Sequence, residues 1–245
     1  MKKKQQAKII KKSARGGALL RALQATGLFR WEKPVSHGES VANILTHGIG
    51  IGIAIAALVV LECFAVLSGD PWAVASCAIF GATMFTLYFG STMCHAMIGC
   101  KYDSFFEVWD SISIYALIAG TYTPFCLVNL RGPLGWSVFG LMWGIVALGA
   151  AIKIRNPNRQ PKWIVALYLL MGWTILFIIP AMLNNVPARG LWFILAGALS
   201  YTIGVIFYLW RRMKFSHMVW HLFVIGGTIS FFFSVLFGSI IDYAR

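Results

Sequence analysis

Long apolar stretches, separated by short polar or Pro/Gly breaks, follow one another along the chain from Asn43 onward. Each stretch is long enough to cross a hydrocarbon core of about 30 Å as a helix. The pattern predicts spans near residues 43–67, 71–98, 105–130, 134–153, 162–183, 190–210 and 217–241. None of them shows the alternation of apolar and polar residues that is typical of a membrane β-barrel strand. Lipid also cannot form hydrogen bonds with unpaired backbone N–H and C=O groups, so an isolated strand is excluded. We therefore predict an all-α fold, a bundle of seven transmembrane helices.

The segment before the first span has a different composition. Residues 1–33 contain ten Lys or Arg and a single acid, Glu32. A short helix lying along the lipid headgroups could present one apolar face lined by Leu19, Leu20, Leu23 and Phe29. A disordered basic tail is an equally good interpretation. The sequence thus predicts two domains, a basic cytoplasmic tail over residues 1–38 and a seven-helix membrane domain over residues 39–245.

The distribution of basic residues predicts the orientation. If the N-terminus is cytoplasmic, eighteen of the 21 Lys and Arg lie on that side, and only Arg131, Arg189 and Arg245 lie on the other. Such a bias is typical of cytoplasmic loops, so we expect the C-terminus outside, in a multi-pass protein of the cell (plasma or inner) membrane. The net charge of +13 favours contact with anionic lipid headgroups. Nucleic acid is not an expected partner, because the basic residues border apolar runs.

Four ionisable residues inside the predicted spans share one depth. His95 ends the second span, Asp110 lies just inside the third, and His217 and His221 open the seventh. Charged or titratable groups are rare in membrane helices and commonly mark function. Three histidines from two spans would supply three ligands of a tetrahedral zinc ion and leave a position for water, which Asp110 would hold. Alternatively, the histidines simply cap helices or contact headgroups.

Further polar residues lie near the same depth. Glu39, Asn43 and His47 repeat every four residues at the start of the first span, and Ser91 precedes His95 by four. The first three either shape the mouth of the same cavity or bond to the metal ligands from a second layer. A helix start with a charged first turn is the alternative for Glu39 and Asn43.

Small residues and one internal break predict how the helices approach. Close helix contacts are expected at the glycines within residues 48–52 and 226–227. Residues 120–124 interrupt the third span with glycine and proline. We expect a kink there, with threonine hydroxyls bonding the freed backbone groups.

Several motifs resemble the hemolysin III family, the bacterial branch of the superfamily of progestin and adiponectin receptors. The matching segments are residues 39–43 (ESVAN), 46–48 (THG), 91–95 (STMCH), 119–125 (AGTYTPF) and 216–221 (SHMVWH), with Asp110. They extend over nearly all of the chain after residue 38. One departure is Ser40, where the receptor motif more often has threonine.

The resemblance implies a seven-helix fold with zinc near the cytoplasmic face. The ligands would be His95, His217 and His221, with Asp110 approaching the metal through a water molecule and Ser91 beside Asp110. The receptor relatives in turn resemble lipid amidases such as ceramidases.

Three functions are compatible with these features. The first is a zinc-dependent hydrolase of membrane lipids, acting on an amide or ester, in which Asp110 is the general base and Ser91 bonds the developing oxyanion. The second is a non-enzymatic regulator or sensor of membrane state with a structural zinc site. Cytolysis, suggested by the family name, ranks last, because the ordered basic loops are typical of a resident membrane protein.

Overall fold

The computed structural model describes residues 36–157, 163–210 and 212–243, and the regular structure within these ranges is entirely helical. The short helix that the leucines near residue 20 predict lies outside the described residues. No strand occurs in the described ranges, which agrees with the requirement that a lipid-exposed backbone bond to itself.

Seven helices among the described residues are long and apolar enough to cross a membrane. They are His37–Ser68, Pro71–Ala96, Asp103–Asn129, Pro133–Arg155, Ile164–Asn185, Ala188–Leu209 and Ser216–Ile241. The prediction of seven spans is confirmed, with every boundary but one within two residues. The exception is the first span, which begins six residues early because its first turn is polar and carries Glu39, a favourable charge at a helix N-terminus.

Three spans depart from regular α-helix. The third ends in a π-helical turn, Phe125–Asn129, and the seventh ends in another, Leu236–Ile241. The fifth passes through a 3-10 segment, Trp173–Ile178, before the helix Ile179–Asn185. Pro180 follows this segment and cannot donate the hydrogen bond that would continue the preceding helix.

The break in the third span occurs where glycine and proline predict it. The helix continues through Pro124, and the wider π-helical turn follows. The hydroxyl of Thr121 donates to the carbonyl of Ile118, and that of Thr123 donates to Ala119. These two hydroxyls bond carbonyls next to the break, whereas the carbonyl that Pro124 deprives of its helical donor is that of Gly120, which neither threonine bonds. The distortion takes the form of a widened turn.

The first span buries a narrow stripe of mostly small residues. The buried positions are Asn43, His47, Gly50, Ala54, Ala57, Leu61 and Ala65. Their spacing alternates between four and three residues along most of the helix, which keeps one face towards the neighbouring helices. The polar members of the stripe, Asn43 and His47, therefore face the interior of the bundle.

Only part of the predicted glycine contacts occur. A Cβ atom at Gly50 would lie 2.3 Å from the ring of Tyr88, and one at Gly227 would lie 2.3 Å from Tyr201. At Gly48 and Gly52 it would meet no atom within 4 Å, so the prediction was wrong for these two. They lie on the opposite side of the first helix from the buried stripe.

The third span is the central helix of the bundle. In its most apolar stretch 72% of the residues are buried, against 11% in the fifth span. Consecutive spans run in opposite directions, so the end of the second, the start of the third and the start of the seventh lie at one face of the bundle. The fold thus gathers the predicted polar residues at that face.

Candidate metal centre

Three histidines meet where the second span ends and the seventh begins. The ring centroids of His95 and His217 are 5.0 Å apart, those of His95 and His221 are 5.2 Å apart, and those of His217 and His221 are 4.6 Å apart. One ligand nitrogen from each ring lies within 4.8 Å of the other two. His217 and His221 occupy successive turns of one helix face. The structure thus brings together the three histidines that the sequence singled out by their common depth in the predicted spans.

The burial and the donor atoms of this triad fit a divalent metal ion. His221 is 1% exposed, and the Nε2 atom of His95 is buried without a hydrogen-bond partner. Zinc binds imidazole nitrogens at 2.0–2.1 Å, so two ligands of a tetrahedral site lie about 3.4 Å apart. Small side-chain movements would bring the three nitrogens to that spacing. A bound ion would also give the His95 nitrogen a partner, whose absence is costly.

Asp110, at the start of the third span, faces the second span. Ser91, which is 2% exposed, interacts electrostatically with the Asp110 carboxylate, and its hydroxyl can donate a hydrogen bond to it. Ser91 lies one helical turn before His95, so both side chains share a face. Among the described residues, Asp110 is not part of the group whose ligand atoms lie within 4.8 Å of one another. The carboxylate is therefore linked to the triad only through Ser91, which lies on the same helix as His95.

Sequence analysis did not predict an ion pair of a buried lysine that interacts with Asp110. Lys153 is 3% exposed, and its Nζ atom donates to Glu107 Oε1 at 2.9 Å and to the carbonyl of Pro157 at 2.7 Å. Glu107 precedes Asp110 by one turn, and both charges interact electrostatically with it. The sequence feature that could have predicted it is a lysine in the last turn of an apolar span. Such a lysine is buried only when an acidic side chain pairs with it.

The first span contacts the triad through two adjacent residues. The hydroxyl oxygen of Thr46 lies 3.0 Å from Nδ1 of His221. The ring of His47 stacks on the ring of His221 at a centroid distance of 3.4 Å and an angle of 17°. Thr46 was not singled out as a site residue in the sequence, although it belongs to the matching segment 46–48. No spacing rule separates it from the many threonines that bond only their own helix.

Glu39 and Asn43 take up different positions. The Glu39 carboxylate accepts a hydrogen bond of 3.0 Å from the backbone nitrogen of Phe215, the residue before the helix that carries His217 and His221. Asn43 is 2% exposed, and its Oδ1 atom has no hydrogen-bond partner. Both nitrogens of His47 are likewise buried and unpartnered. The first span therefore anchors the seventh and adds polar atoms beside the triad.

A close contact between the second and third spans positions Ser91 against Asp110. A Cβ atom at Gly90 would lie 2.5 Å from the Trp109 ring, whose Nε1 donates to the carbonyl of Thr86 at 3.2 Å. Gly90 precedes Ser91, and Trp109 precedes Asp110. Only glycine lets the two helices approach so closely here.

We therefore expect Gly90→Leu to lower the free energy of unfolding by about 1–3 kcal/mol, the usual cost of overpacking. The measurement is thermal unfolding in detergent micelles. Gly140→Leu is the matched control, because a Cβ atom there meets nothing within 4 Å and the gain in helix propensity is the same. Equal unfolding temperatures for the two variants would contradict this account of the contact.

Known proteins match most of the chain. The family model described as haemolysin-III related matches residues 36–232. Hemolysin-3 of Bacillus cereus is 42% identical over 81% of this chain and 91% of its own length. The Hemolysin-3 homolog of Bacillus subtilis (strain 168) is 39% identical over 81% of this chain and 93% of its own length.

A more distant relative comes from animals. The human monocyte to macrophage differentiation factor is 28% identical over 87% of this chain and 90% of its own length. No solved structure matches the chain significantly. The resemblance inferred from the motifs is confirmed: the chain belongs to the haemolysin-III-related family and is a multi-pass protein of the cell membrane.

Proposed function

We propose that the protein is a zinc-dependent hydrolase that acts on an amide or ester linkage of membrane lipids. One observation carries this proposal: Ser91, which interacts with the Asp110 carboxylate, lies one helical turn before His95 of a histidine triad whose third member, His221, is fully buried. A closed structural site needs no such carboxylate, whereas hydrolysis needs a proton acceptor beside the metal. The ligands would be His95, His217 and His221.

The donor set favours zinc over other common ions. Three imidazoles suit zinc and its transition-metal neighbours, whereas calcium and magnesium prefer oxygen ligands. Three protein ligands also leave one position of a tetrahedron for water or substrate. Zinc, when bound, supplies a Lewis acid that polarises a carbonyl group and makes water a stronger acid.

Asp110 and Ser91 have complementary parts in the proposed reaction. Asp110 accepts the proton of the attacking water, which must reach it within hydrogen-bond distance. The protonated carboxyl group no longer needs the hydrogen from Ser91 and can donate to it instead. The Ser91 hydroxyl is then free to donate to the oxygen that becomes negatively charged. A single rearrangement of hydrogen bonds thus links the two steps.

The proposed substrate follows from the depth of the site. We infer that the N-terminus is cytoplasmic, with residues 1–38 as a basic tail before the membrane domain of residues 39–245. The triad then lies at the cytoplasmic end of the bundle, near the level of the linkage between headgroup and acyl chain. The basic residues of that side favour anionic headgroups nearby.

Removal of the metal tests the proposal directly. Purified protein in vesicles of mixed lipids should release a fatty acid or lysolipid detectable by mass spectrometry. A chelator should abolish the product, and added zinc should restore it. If no lipid class is cleaved by metal-loaded protein, the hydrolase proposal is wrong.

A non-enzymatic regulator with a structural metal is the second candidate. The observation in its favour is that the triad joins two helices that are distant in sequence, His95 on the second span and His217 and His221 on the seventh. Chelation would then lower the unfolding temperature, with no lipid product under any condition.

Cytolysis, which the name Hemolysin-3 attributes to relatives, would appear instead as leakage of dye from the same vesicles.

A further inference from the structure

We propose that Thr46 sets the tautomer of His221, so that the first span prepares a metal ligand carried by the seventh. Thr46 and His221 are 175 positions apart in the chain. The inference rests on the metal site of the proposed function and not on hydrolysis. Thr46 is thus a positioning residue, since it acts on the metal only through His221.

The contacts of the Thr46 hydroxyl group indicate which neighbour receives its single hydrogen. Its Oγ1 atom lies 2.9 Å from the carbonyl oxygen of Ala42, 3.0 Å from that of Asn43 and 3.0 Å from His221 Nδ1. A threonine hydroxyl has one hydrogen and two lone pairs. Helical threonines commonly give their hydrogen to a carbonyl of the preceding turn. The oxygen of Thr46 then accepts a hydrogen bond from the Nδ1–H group of His221.

The tautomer decides whether His221 can bind a metal ion. A neutral imidazole carries its proton on one nitrogen and a lone pair on the other. With the proton on Nδ1, the lone pair is on Nε2 and is free for the ion. If Thr46 instead donated to Nδ1, Nε2 would carry the proton and could not act as a ligand. The hydrogen bond at one nitrogen therefore selects the nitrogen that coordinates.

His47 holds the plane of the same ring. It covers one face of His221 at 3.4 Å, and its own ring is 5.1 Å from Tyr88 in an edge-on contact of 87°. Tyr88 donates a 2.8 Å hydrogen bond to Thr228 on the seventh span. The nitrogens of His47 have no partner, so His47 acts on His221 through its ring face. Orientation of the ring and placement of its proton thus come from adjacent residues.

Nitrogen-15 NMR of histidine-labelled, metal-free protein tests the proposal. The signals of His221 are identified by their loss in His221→Ala. We expect the wild type to carry the His221 proton on Nδ1 and Thr46→Val to shift it towards Nε2. Zinc affinity, measured by competition with a fluorescent chelator, should fall about 10–100-fold in Thr46→Val, as for other outer partners of metal ligands. Thr46→Ser, which keeps the hydroxyl, should restore both properties.

Two controls separate this role from a structural one. Thr121→Val removes a hydroxyl that bonds only its own helix and should leave the tautomer and the zinc affinity unchanged. His47→Phe keeps the stacked ring without its nitrogens and should leave the proton on Nδ1. A wild-type spectrum with the proton on Nε2 would overturn the proposal even if Thr46→Val failed to fold. Equal zinc affinities for Thr46→Val and the wild type would also overturn it.

Discussion

Replacement of His95 by leucine is expected to lower the affinity for zinc by more than ~100-fold. Loss of an outer partner of a metal ligand already costs up to about that much, and His95 is a proposed ligand itself. It is also the member of the triad that the second span supplies. Competition with a fluorescent chelator in detergent measures the affinity. His37→Leu, at an exposed position, is the control and should bind zinc as the wild type does.

His95→Leu should be at least as stable as the wild type without metal and less stable than the wild type with saturating zinc. Without metal, leucine removes the buried, unpartnered Nε2 atom, and such an atom costs about 1–3 kcal/mol. The metal-free variant should therefore unfold at the same temperature as the wild type or higher. With saturating zinc the wild type should gain stability, about 2.7 kcal/mol at 100 times the dissociation constant. A variant that gains as much from zinc would contradict the assignment of His95 as a ligand.

Asp110→Asn is expected to reduce the rate of lipid hydrolysis by about 10²–10⁴-fold while the zinc content stays unchanged. Asparagine has the size of aspartate and can still accept a hydrogen bond from Ser91. It cannot accept a proton from water, and a positioned general base typically contributes a factor of this size. Product release measured by mass spectrometry gives the rate, and elemental analysis gives the zinc content.

Asp103→Asn is the matched control on the same helix. Asp103 accepts a hydrogen bond of 2.9 Å from the backbone nitrogen of Gly99 and is bonded to the loop before the third span. Its replacement should leave the rate within about twofold. Loss of zinc together with activity in Asp110→Asn would mean that Asp110 is needed to hold the metal, and the general-base role would then be wrong.

The spans were predictable because a single physical requirement decides them. A helix that crosses the bilayer needs about 20 apolar residues, and this pattern is visible along the chain without tertiary information. The early start of the first span was not predicted, because its first turn lies beyond the apolar stretch. The hydrogen bond from the backbone nitrogen of Phe215 to Glu39 was not predicted either, because it depends on how the first and seventh spans pack.

The candidate site was predictable only in part. Ionisable residues at one depth singled out His95, Asp110, His217 and His221, because lipid makes such residues rare. Thr46 looked like an ordinary helical threonine, since its bonds to Ala42 and Asn43 are local. Its contact with His221 needs the first and seventh helices side by side.

The amino-acid sequence by itself determined the all-helical fold, the seven spans and the family, and it predicted that the histidines lie at the same end of their helices. These properties follow from the length of apolar runs, from the periodicity of a helix and from short motifs. The tertiary structure decided which side chains touch: the ring of His47 on His221, Ser91 on Asp110, and Lys153 on Glu107. Such pairs depend on the rotation of each helix about its axis, which close packing between helices determines and lipid-facing hydrophobicity does not.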